Sequence, residues 1–379
     1  MTKWCVTSNY KFCMGHKVET AAQPRIFGLD VMRAAAILLV VFWHSYDAIT
    51  YLAPGFVMPF FLDGVDLFFV LSGYLIGGIL LKVLAKTEVP IRQRLIKFWR
   101  RRFFRTLPNY YLFLLVNIAI VWLGLGKGLL NHNVTAYFAL LHNLWKPFSL
   151  FYWESWSLVT EVWFYLLFPL GLIGCLSLLG WTIRKSFVVT SIVFILVPTS
   201  LRILASPAID SMQGMVVGVR EVAMMRIDSV VFGVLAVLLA TYYPQRWKSF
   251  RWPLLVLGMA GTCVVASFYG EAHLVYSTTW YYSLSALSMA CLLPLMSAWT
   301  REPRWGRVIT WLSHISYALF LVHLPVRYVL ERWYDPFTPL AGWLQLIGYW
   351  LVCTGLAWLV YRYYELPLMN LRERKAAKA

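Results

Sequence analysis

Ionisable residues inside apolar stretches are the first feature of this chain that could do chemistry. Asp30, Arg33 and His44 fall within or beside one apolar run near the start of the sequence. In a membrane span such groups are costly, so each is a candidate functional residue. On a helix, Arg33 and His44 would lie about 16 Å apart along the axis and about 20° apart around it, so both project from nearly one face. A snorkelling arginine and a hydrogen-bonded core histidine are the alternative interpretation.

Two carboxylates and a second histidine could act with this first helix. Asp66, at the start of the second apolar run, could partner an imidazole, or could be a helix N-terminal carboxylate facing water. Glu161 could orient a histidine, take a proton or hold an acceptor hydroxyl, or simply bond a neighbouring helix. His323 could bind an acceptor, support His44 or pack in the core. Asp66, Glu161, His44 and His323 are all predicted at mid to outer depth.

A basic cluster at residues 100–105 could recognise phosphate. Arg101 and Arg105 are four residues apart and would share one helix face. Guanidinium pairs offer forked donors and a fixed charge, which suit phosphate groups. The alternative is a cytoplasmic charge anchor of the kind that many membrane proteins carry. Another pair, Arg226 and Asp228, could bond to each other, and we assign it no chemistry.

The elements that must position these residues are apolar helices. The 379-residue chain is 60% hydrophobic and 13% charged, with a mean hydropathy of +0.65. Residues 134–145 are apolar but too short to span and are predicted to be interfacial or re-entrant. In the second run Gly64, Ser72 and Gly73 are small enough for close helix approach. Ten runs are long enough to be membrane spans, at residues 31–49, 61–82, 107–125, 156–180, 187–204, 223–242, 253–269, 280–299, 308–330 and 340–361.

The charge distribution predicts which side each loop faces. With the N-terminus inside and ten spans, the inner segments hold 26 of the 34 basic residues and the outer segments hold five, with three inside helices. Basic residues collect in cytoplasmic loops, so both termini are predicted to be cytoplasmic. The net charge of +17 is explained by this topology, and no nucleic-acid partner is predicted. The fold class is an all-α integral membrane protein of about ten transmembrane helices.

Five stretches together resemble the membrane acyltransferase-3 family, whose members include O-antigen acetyltransferase-like proteins. They are LDVMRAAAILLVVFWH at 29–44, GVDLFFVLSGYLI at 64–76, RRFFRTLP at 101–108, WSLVTEVWFYLLFP at 156–169 and SYALFLVHLP at 316–325. The resemblance runs over roughly residues 25–365. A second acid that the family often has after its WSL motif is Val162 here.

The resemblance implies transfer of an acyl group, usually acetyl, from cytoplasmic acyl-CoA to a hydroxyl of a glycan or similar acceptor. The family's motifs fall on Arg33, Arg101, Arg105, His44, Glu161 and His323. We therefore expect the three arginines to hold the acetyl-CoA phosphates. His44 is expected to act as general base or transient acyl carrier, oriented by Asp66 or Glu161.

Acceptor contacts are predicted at His323, Trp156 and Ser72. No metal is required. The expected location is the inner, cytoplasmic membrane, in contact with lipid. A tail at 1–25, a membrane acyltransferase domain at 26–365 and a C-terminal tail at 366–379 are the expected divisions. The alternative function is a transporter or flippase that uses the same buried charges as a proton relay. Transporters commonly carry internal repeats, and the sequence has none at a fixed period.

Overall fold

Apolar helices make up the architecture of the protein. The computed structural model describes residues 25–45, 48–49, 52–53, 62–86, 88–146, 151–333 and 339–377. The expected N-terminal tail, residues 1–25, lies almost wholly outside the described residues. The principal helices are α1 Phe27–Trp43, α2 Gly64–Ala85, α3 Ile91–Trp122, α4 Ser155–Leu178, α5 Ile183–Ala205, α6 Asp228–Tyr242, α7 Arg251–Ser267, α8 Tyr281–Ala290, α9 Arg307–Trp333, α10 Pro339–Val360 and α11 Leu366–Ala377.

Short helical segments join these helices. The α-helical ones are Val134–Phe138, Met212–Met215, Pro244–Ser249, Leu274–Thr279 and Leu293–Ala298. Turns of 3₁₀ helix lie at Ser206–Ala208, Ala223–Met225, Glu271–His273 and Arg304–Gly306, and π-helical turns at Val216–Arg220 and Tyr361–Glu365. The apolar segment at 134–145 forms a five-residue helix and turns, so it does not span, as predicted.

The all-helical membrane class is confirmed, but the structure supports fewer spans than ten. Each of the ten predicted runs contains a helix, and α1 to α10 follow them in order. Among the described residues, seven helices are long and apolar enough to cross a membrane, or eight if one bent pair is a single span. Four of the ten helices are short, with 17 residues in α1, 15 in α6, 17 in α7 and 10 in α8, and α8 is long enough to span only together with the segment that follows it to Ala298. A straight span needs about 20 residues, so ten spans and the cytoplasmic termini stay predictions.

Helix α2 lies at the centre and packs against α1 on one side and α6 on the other. Two glycines allow the α2–α6 contact, because a Cβ at Gly73 would lie 1.8 Å from the Val230 carbonyl oxygen and one at Gly233 would lie 1.9 Å from that of Val70. A Cβ at Gly64 would likewise lie 2.4 Å from the carbonyl oxygen of a residue in α1. The predicted close helix approach at Gly64 and Gly73 is confirmed.

Among the residues that the structure describes, two fully buried ion pairs join the helices, and neither is the predicted Arg226–Asp228 pair. Arg202 in α5 binds Asp228 at the start of α6 through two hydrogen bonds of 3.0 and 2.8 Å, and Ser283 of α8 donates to the same carboxylate at 2.6 Å. Arg226 instead pairs with Asp66 of α2. Both ion pairs are fully buried. The expected pairing is wrong because each charge meets a partner from another helix, which sequence proximity does not reveal.

Candidate active site

A first cavity, which we call the arginine cavity, lies among α1, α2, α3, α4 and α9 and has a volume of about 110 Å³. Its charged and hydroxyl lining includes Arg33, Arg102 and Arg105, with Glu161 and Ser72 facing them across the cavity. Three guanidiniums and one carboxylate give these side chains a net charge of +2. Such a lining suits an anionic group, and forked guanidinium donors suit phosphate in particular.

Arg33 is fixed at this cavity by helix α9. Its Nη1 donates to the Ser313 hydroxyl at 3.2 Å and lies 3.5 Å from Asp30 Oδ1. Ser313 in turn donates to Asp30 at 2.8 Å, and Arg25 pairs with the other oxygen of the same carboxylate. Asp30 is only 3% exposed. Sequence reasoning gave Asp30 no positioning role, although its three-residue spacing from Arg33 is the signal for an ion pair on one helix face.

Glu161 lies beside the arginines rather than beside His44. The Ser72 hydroxyl of α2 donates a hydrogen bond to Glu161 Oε1 of α4, and both side chains line the arginine cavity. The sequence grouped Glu161 with the outer residues from its place early in α4. The packing of α1, α2 and α3 against α4 brings Arg33, Ser72 and Arg105 to the cavity that Glu161 lines. The predicted depth of Glu161 stays a prediction.

The arginine cluster contributes a different pair from the one predicted. Arg102 and Arg105 line the cavity and Arg101 does not, although Arg101 and Arg105 are both exposed and Arg102 is half-buried. Arg102 and Arg105 are three residues apart, which also places them on one helix face. Thr106, four residues after Arg102, lines the same cavity and marks that face. The four-residue spacing of Arg101 and Arg105 and the three-residue spacing of Arg102 and Arg105 were both present in the sequence. Only the packing of α3 against its neighbours shows which pair faces the cavity.

His44 caps the opposite end of α1 and pairs with His323 of α9. The ring centroids are 4.9 Å apart. His44 Nδ1 lies 2.8 Å from the Val40 carbonyl oxygen, and His323 Nδ1 lies 2.6 Å from that of Phe320. A carbonyl only accepts, so each Nδ1 carries the proton and each Nε2 keeps its lone pair. His323 is fully buried and its Nε2 has no hydrogen-bond partner among the described residues.

His44 opens into a second cavity of about 180 Å³, which we call the tyrosine cavity. It is lined by Asp63 and Arg220 and by three tyrosines, which are Tyr269, Tyr281 and Tyr282. Val65 lines both cavities and is therefore part of the wall between them. The sequence placed His44 and Arg33 on one helix face, and the structure puts these two side chains in separate but adjacent cavities.

Asp63 and Arg220 form an ion pair that sequence reasoning missed. Arg220 Nη2 lies 3.0 Å from Asp63 Oδ2, while Asp63 Oδ1 accepts from the amides of Val65 and Asp66 and so caps α2. Burial alone would raise the pKa of the Asp63 carboxyl, but the guanidiniums of Arg220 and Arg226 outweigh burial and hold that pKa below its ordinary value. The available signal was an aspartate immediately before an apolar helix, which is a common N-cap.

Asp66 and Trp156 are not placed for the roles predicted from the sequence, which were to orient His44 and to contact the acceptor. Asp66 is fully buried and its carboxylate pairs with Arg226, so the structure does not support its expected contact with the His44 imidazole. The Trp156 ring packs edge-on against Phe69 at 5.9 Å, and the guanidinium carbon of Arg226 lies 5.9 Å from its centroid. Both residues surround Arg226 and are placed to stabilise this buried cation.

Comparison with known proteins matches the chain to a family and to several relatives. The acyltransferase domain family matches residues 26–362. A Bacillus subtilis (strain 168) protein, YrhL, provisionally named a peptidoglycan O-acetyltransferase, is 34% identical over 195 residues. That match covers 48% of this chain and 28% of the relative. The O-acetyltransferase OatA of Staphylococcus aureus (strain NCTC 8325 / PS 47) is 31% identical over 167 residues, which are 41% of this chain and 26% of the relative.

The matched part therefore spans only about a quarter of these relatives, which are much longer proteins. No solved structure gives a significant match. The family match extends over most of the chain, from the helix that carries Arg33 and His44 to the end of α10. The chain belongs to the acyltransferase-3 family of membrane proteins.

Proposed function

We propose that this protein transfers an acyl group, acetyl in the simplest case, from acetyl-CoA at the cytoplasmic face to a hydroxyl of an envelope or exported glycan. Family membership supports acyl transfer, and the relatives named as O-acetyltransferases support an oxygen acceptor. The peptidoglycan named for the Bacillus relative makes an envelope glycan the first acceptor to test. We place the protein in the cytoplasmic membrane, with lipid around its exposed apolar helix faces.

The arginine cavity is the proposed donor site. Arg33, Arg102 and Arg105 would hold the phosphates of CoA, because these guanidiniums outnumber the single carboxylate in the lining. Glu161 would remain bonded to Ser72 and limit how deeply a negative group enters. The uncharged pantetheine arm could then extend past Phe68 and Phe320 towards the wall at Val65. This arrangement makes Arg102, and not Arg101, the partner of Arg105.

His44 is the proposed general base. Its Nδ1 proton is held by the Val40 carbonyl, so the Nε2 lone pair can take the proton of the acceptor hydroxyl. The hydroxyl oxygen attacks the thioester carbonyl carbon, a C–O bond forms, and the C–S bond breaks. The proton on Nε2 then passes to the departing CoA thiolate, which leaves the imidazole neutral. Alternatively, Nε2 attacks the thioester carbonyl carbon first, the C–S bond breaks and CoA leaves as the thiolate, which gives an Nε2-acylated imidazolium. The acceptor hydroxyl then attacks the acyl carbon, the C–N bond breaks, and the hydroxyl proton passes through the freed Nε2 to the thiolate.

One observation carries this proposal: His44, whose Nδ1 proton is held by the Val40 carbonyl oxygen, lines a charge-balanced cavity that shares the Val65 wall with a positively charged one. A transporter would need the two cavities to exchange a whole substrate. An acyltransferase needs only the thioester end of the donor and one acceptor hydroxyl to meet at His44.

The test is turnover of ¹⁴C-acetyl-CoA by the purified full-length protein in nanodiscs, with and without a peptidoglycan-derived acceptor. We expect CoA release in the wild type and loss of about 10²- to 10⁴-fold in His44→Ala, the range for a general base. His132→Ala, an exposed histidine on a loop, is the matched control and should retain full turnover. Full turnover by a folded His44→Ala variant would remove His44 from the mechanism, and no turnover by the wild type would favour the transporter.

A further inference from the structure

The tyrosine cavity has a charge distribution that differs from that of the donor site. Its two ionised side chains, Asp63 and Arg220, are 3.0 Å apart and cancel each other. Directly behind them, the fully buried Asp66 and Arg226 form a second cancelling pair. Among the described residues that line the cavity, an entering anion would meet no uncompensated positive charge, unlike in the arginine cavity. The cavity therefore suits a ligand that is polar but uncharged.

Aromatic rings cover one side of the same cavity. Tyr269 and Tyr281 have ring centroids 4.3 Å apart, and the rings of Tyr281 and Tyr282 meet nearly edge to face at 5.1 Å. Arg226 fixes this cluster from behind, because its guanidinium carbon lies 3.6 Å from the Tyr282 ring centroid. Tyr282 also donates to the sulfur of Met215 at 2.9 Å, so its hydroxyl is already used. Tyr282 is fully buried and Tyr281 is 9% exposed, so the half-buried Tyr269 offers most of the apolar surface towards the cavity, and the two rings packed against it hold it in place.

A sugar ring is the chemistry that fits these two features together. Its C–H face is apolar and can lie on aromatic rings, while its hydroxyls both donate and accept at the rim. Asp63 can accept from one hydroxyl and Arg220 can donate to its neighbour, without either side chain leaving the ion pair. Side-chain exposures of 17% for Asp63 and 24% for Arg220 leave both reachable from the cavity. His44 lines the same space and carries the free Nε2 lone pair.

We propose that the tyrosine cavity is a subsite for an uncharged sugar unit, held by Asp63 and Arg220 at adjacent hydroxyls and by the tyrosine cluster at its C–H face. The assignment rests on the proposed acyl transfer, since it supplies the acceptor to His44. It replaces Trp156 and Ser72, which the sequence suggested, because neither of them lines this cavity.

The experiment measures sugar binding directly, without chemistry. The full-length protein in nanodiscs is titrated with chitotriose and maltotriose, both neutral, and with trigalacturonate as a matched anion, by saturation-transfer NMR. At least one neutral trisaccharide should bind. Asp63→Asn and Arg220→Gln should each weaken that binding by about tenfold, as expected for a lost hydrogen bond to a charged group. Asparagine preserves the N-cap of α2, so Asp63→Asn should remain folded.

A change in the preference of the cavity between neutral and anionic trisaccharides is the sharper measurement. Asp63→Asn leaves Arg220 uncompensated and should increase the affinity for trigalacturonate, whereas Arg220→Gln should not. The double variant restores neutrality and should lose the gain for the anion. Arg184 is exposed near the start of α5 and lines neither cavity. Arg184→Gln is therefore the control and should bind the neutral and the anionic trisaccharides as the wild type does.

The outcomes separate this inference from the proposed function. Neutral sugar affinity that is unchanged in both single variants would overturn the subsite, as would a wild type that turns over acetyl-CoA but binds neither neutral trisaccharide. A wild type that binds sugar through Asp63 and Arg220 but never turns over acetyl-CoA would support the subsite and reject acyl transfer.

Discussion

The two cavities at the ends of α1 differ in how the chain handles charge. The lining of the arginine cavity holds three guanidiniums and one carboxylate, with Asp30 beside Arg33 just outside it, whereas the lining of the tyrosine cavity holds one guanidinium paired with one carboxylate. Both cavities are lined in part by α2, and Val65 belongs to both. The difference shows that one helix bundle can hold a cavity with excess positive charge and a charge-balanced cavity side by side, provided that an ion pair cancels the charges of the second.

Removing the carboxylate of Asp66 should have the largest effect, because it would break the charge balance behind the tyrosine cavity. Asp66→Ala leaves the fully buried Arg226 without its partner, and a broken buried pair costs about 3–5 kcal/mol. We expect a large fall in the thermal unfolding midpoint, measured in detergent by intrinsic fluorescence. Asp66→Ala combined with Arg226→Met should recover part of it. A stable Asp66→Ala variant that lost only activity would restore the catalytic role predicted from the sequence.

The arginine cavity can be tested one guanidinium at a time. Arg102→Ala and Arg105→Ala should each raise the KM for acetyl-CoA by about tenfold or more, since each removes a charge-assisted contact to phosphate. Arg101→Ala should have a smaller effect, because Arg101 is outside the lining. Arg92→Ala, exposed on the same helix, is the control. Equal effects of Arg101→Ala and Arg102→Ala would contradict the distinction between lining and surface.

A substitution in the wall between the two cavities should have a moderate effect on acetyl-CoA hydrolysis. Val65→Ala shortens the one side chain common to both linings and should let water reach the thioester. We expect hydrolysis of acetyl-CoA without acceptor to rise severalfold while donor affinity is unchanged. Val65→Ile is the matched variant and should lower hydrolysis. Hydrolysis that is the same in all three proteins would show that Val65 does not separate the two compartments.

The smallest effect concerns Glu154, a buried acid just before α4 that lines neither cavity. Both carboxyl oxygens of Glu154 are buried without a hydrogen-bond partner among the described residues, and burial raises the pKa of this group from 4.5 to about 8. The unfolded chain would lose this proton near its ordinary pKa, so the free energy of unfolding should fall as the pH rises from about 5 to 8. Glu154→Gln cannot ionise and should show a shallower fall in the same window, measured by thermal unfolding. Parallel curves would mean that Glu154 is already ionised.

Most of the helices could be read from the sequence, and the candidate site only in part. Long apolar runs mark helices because unpaired backbone groups cannot be left in lipid, and each of the ten runs contains one. Arg33, Arg105 and Glu161 were found by residue type and do line one cavity. Arg101 rather than Arg102 was predicted from the sequence as the partner of Arg105. Residues three and four positions before Arg105 lie on the same helix face, so only the packing of neighbouring helices distinguishes them. Asp63 and Arg220 were missed, since 157 residues separate them.

The sequence by itself determined the membrane class, the order of the helices and the set of costly buried charges, because hydropathy and residue type are local properties. Only the tertiary structure decided which charges meet. It paired Asp66 with Arg226, placed Glu161 with the arginines and left His44 beside a charge-balanced cavity. The physical reason is that a buried charge is stabilised by whichever partner the packing brings within about 4 Å, and for Asp66 and Asp228 that partner comes from another part of the chain.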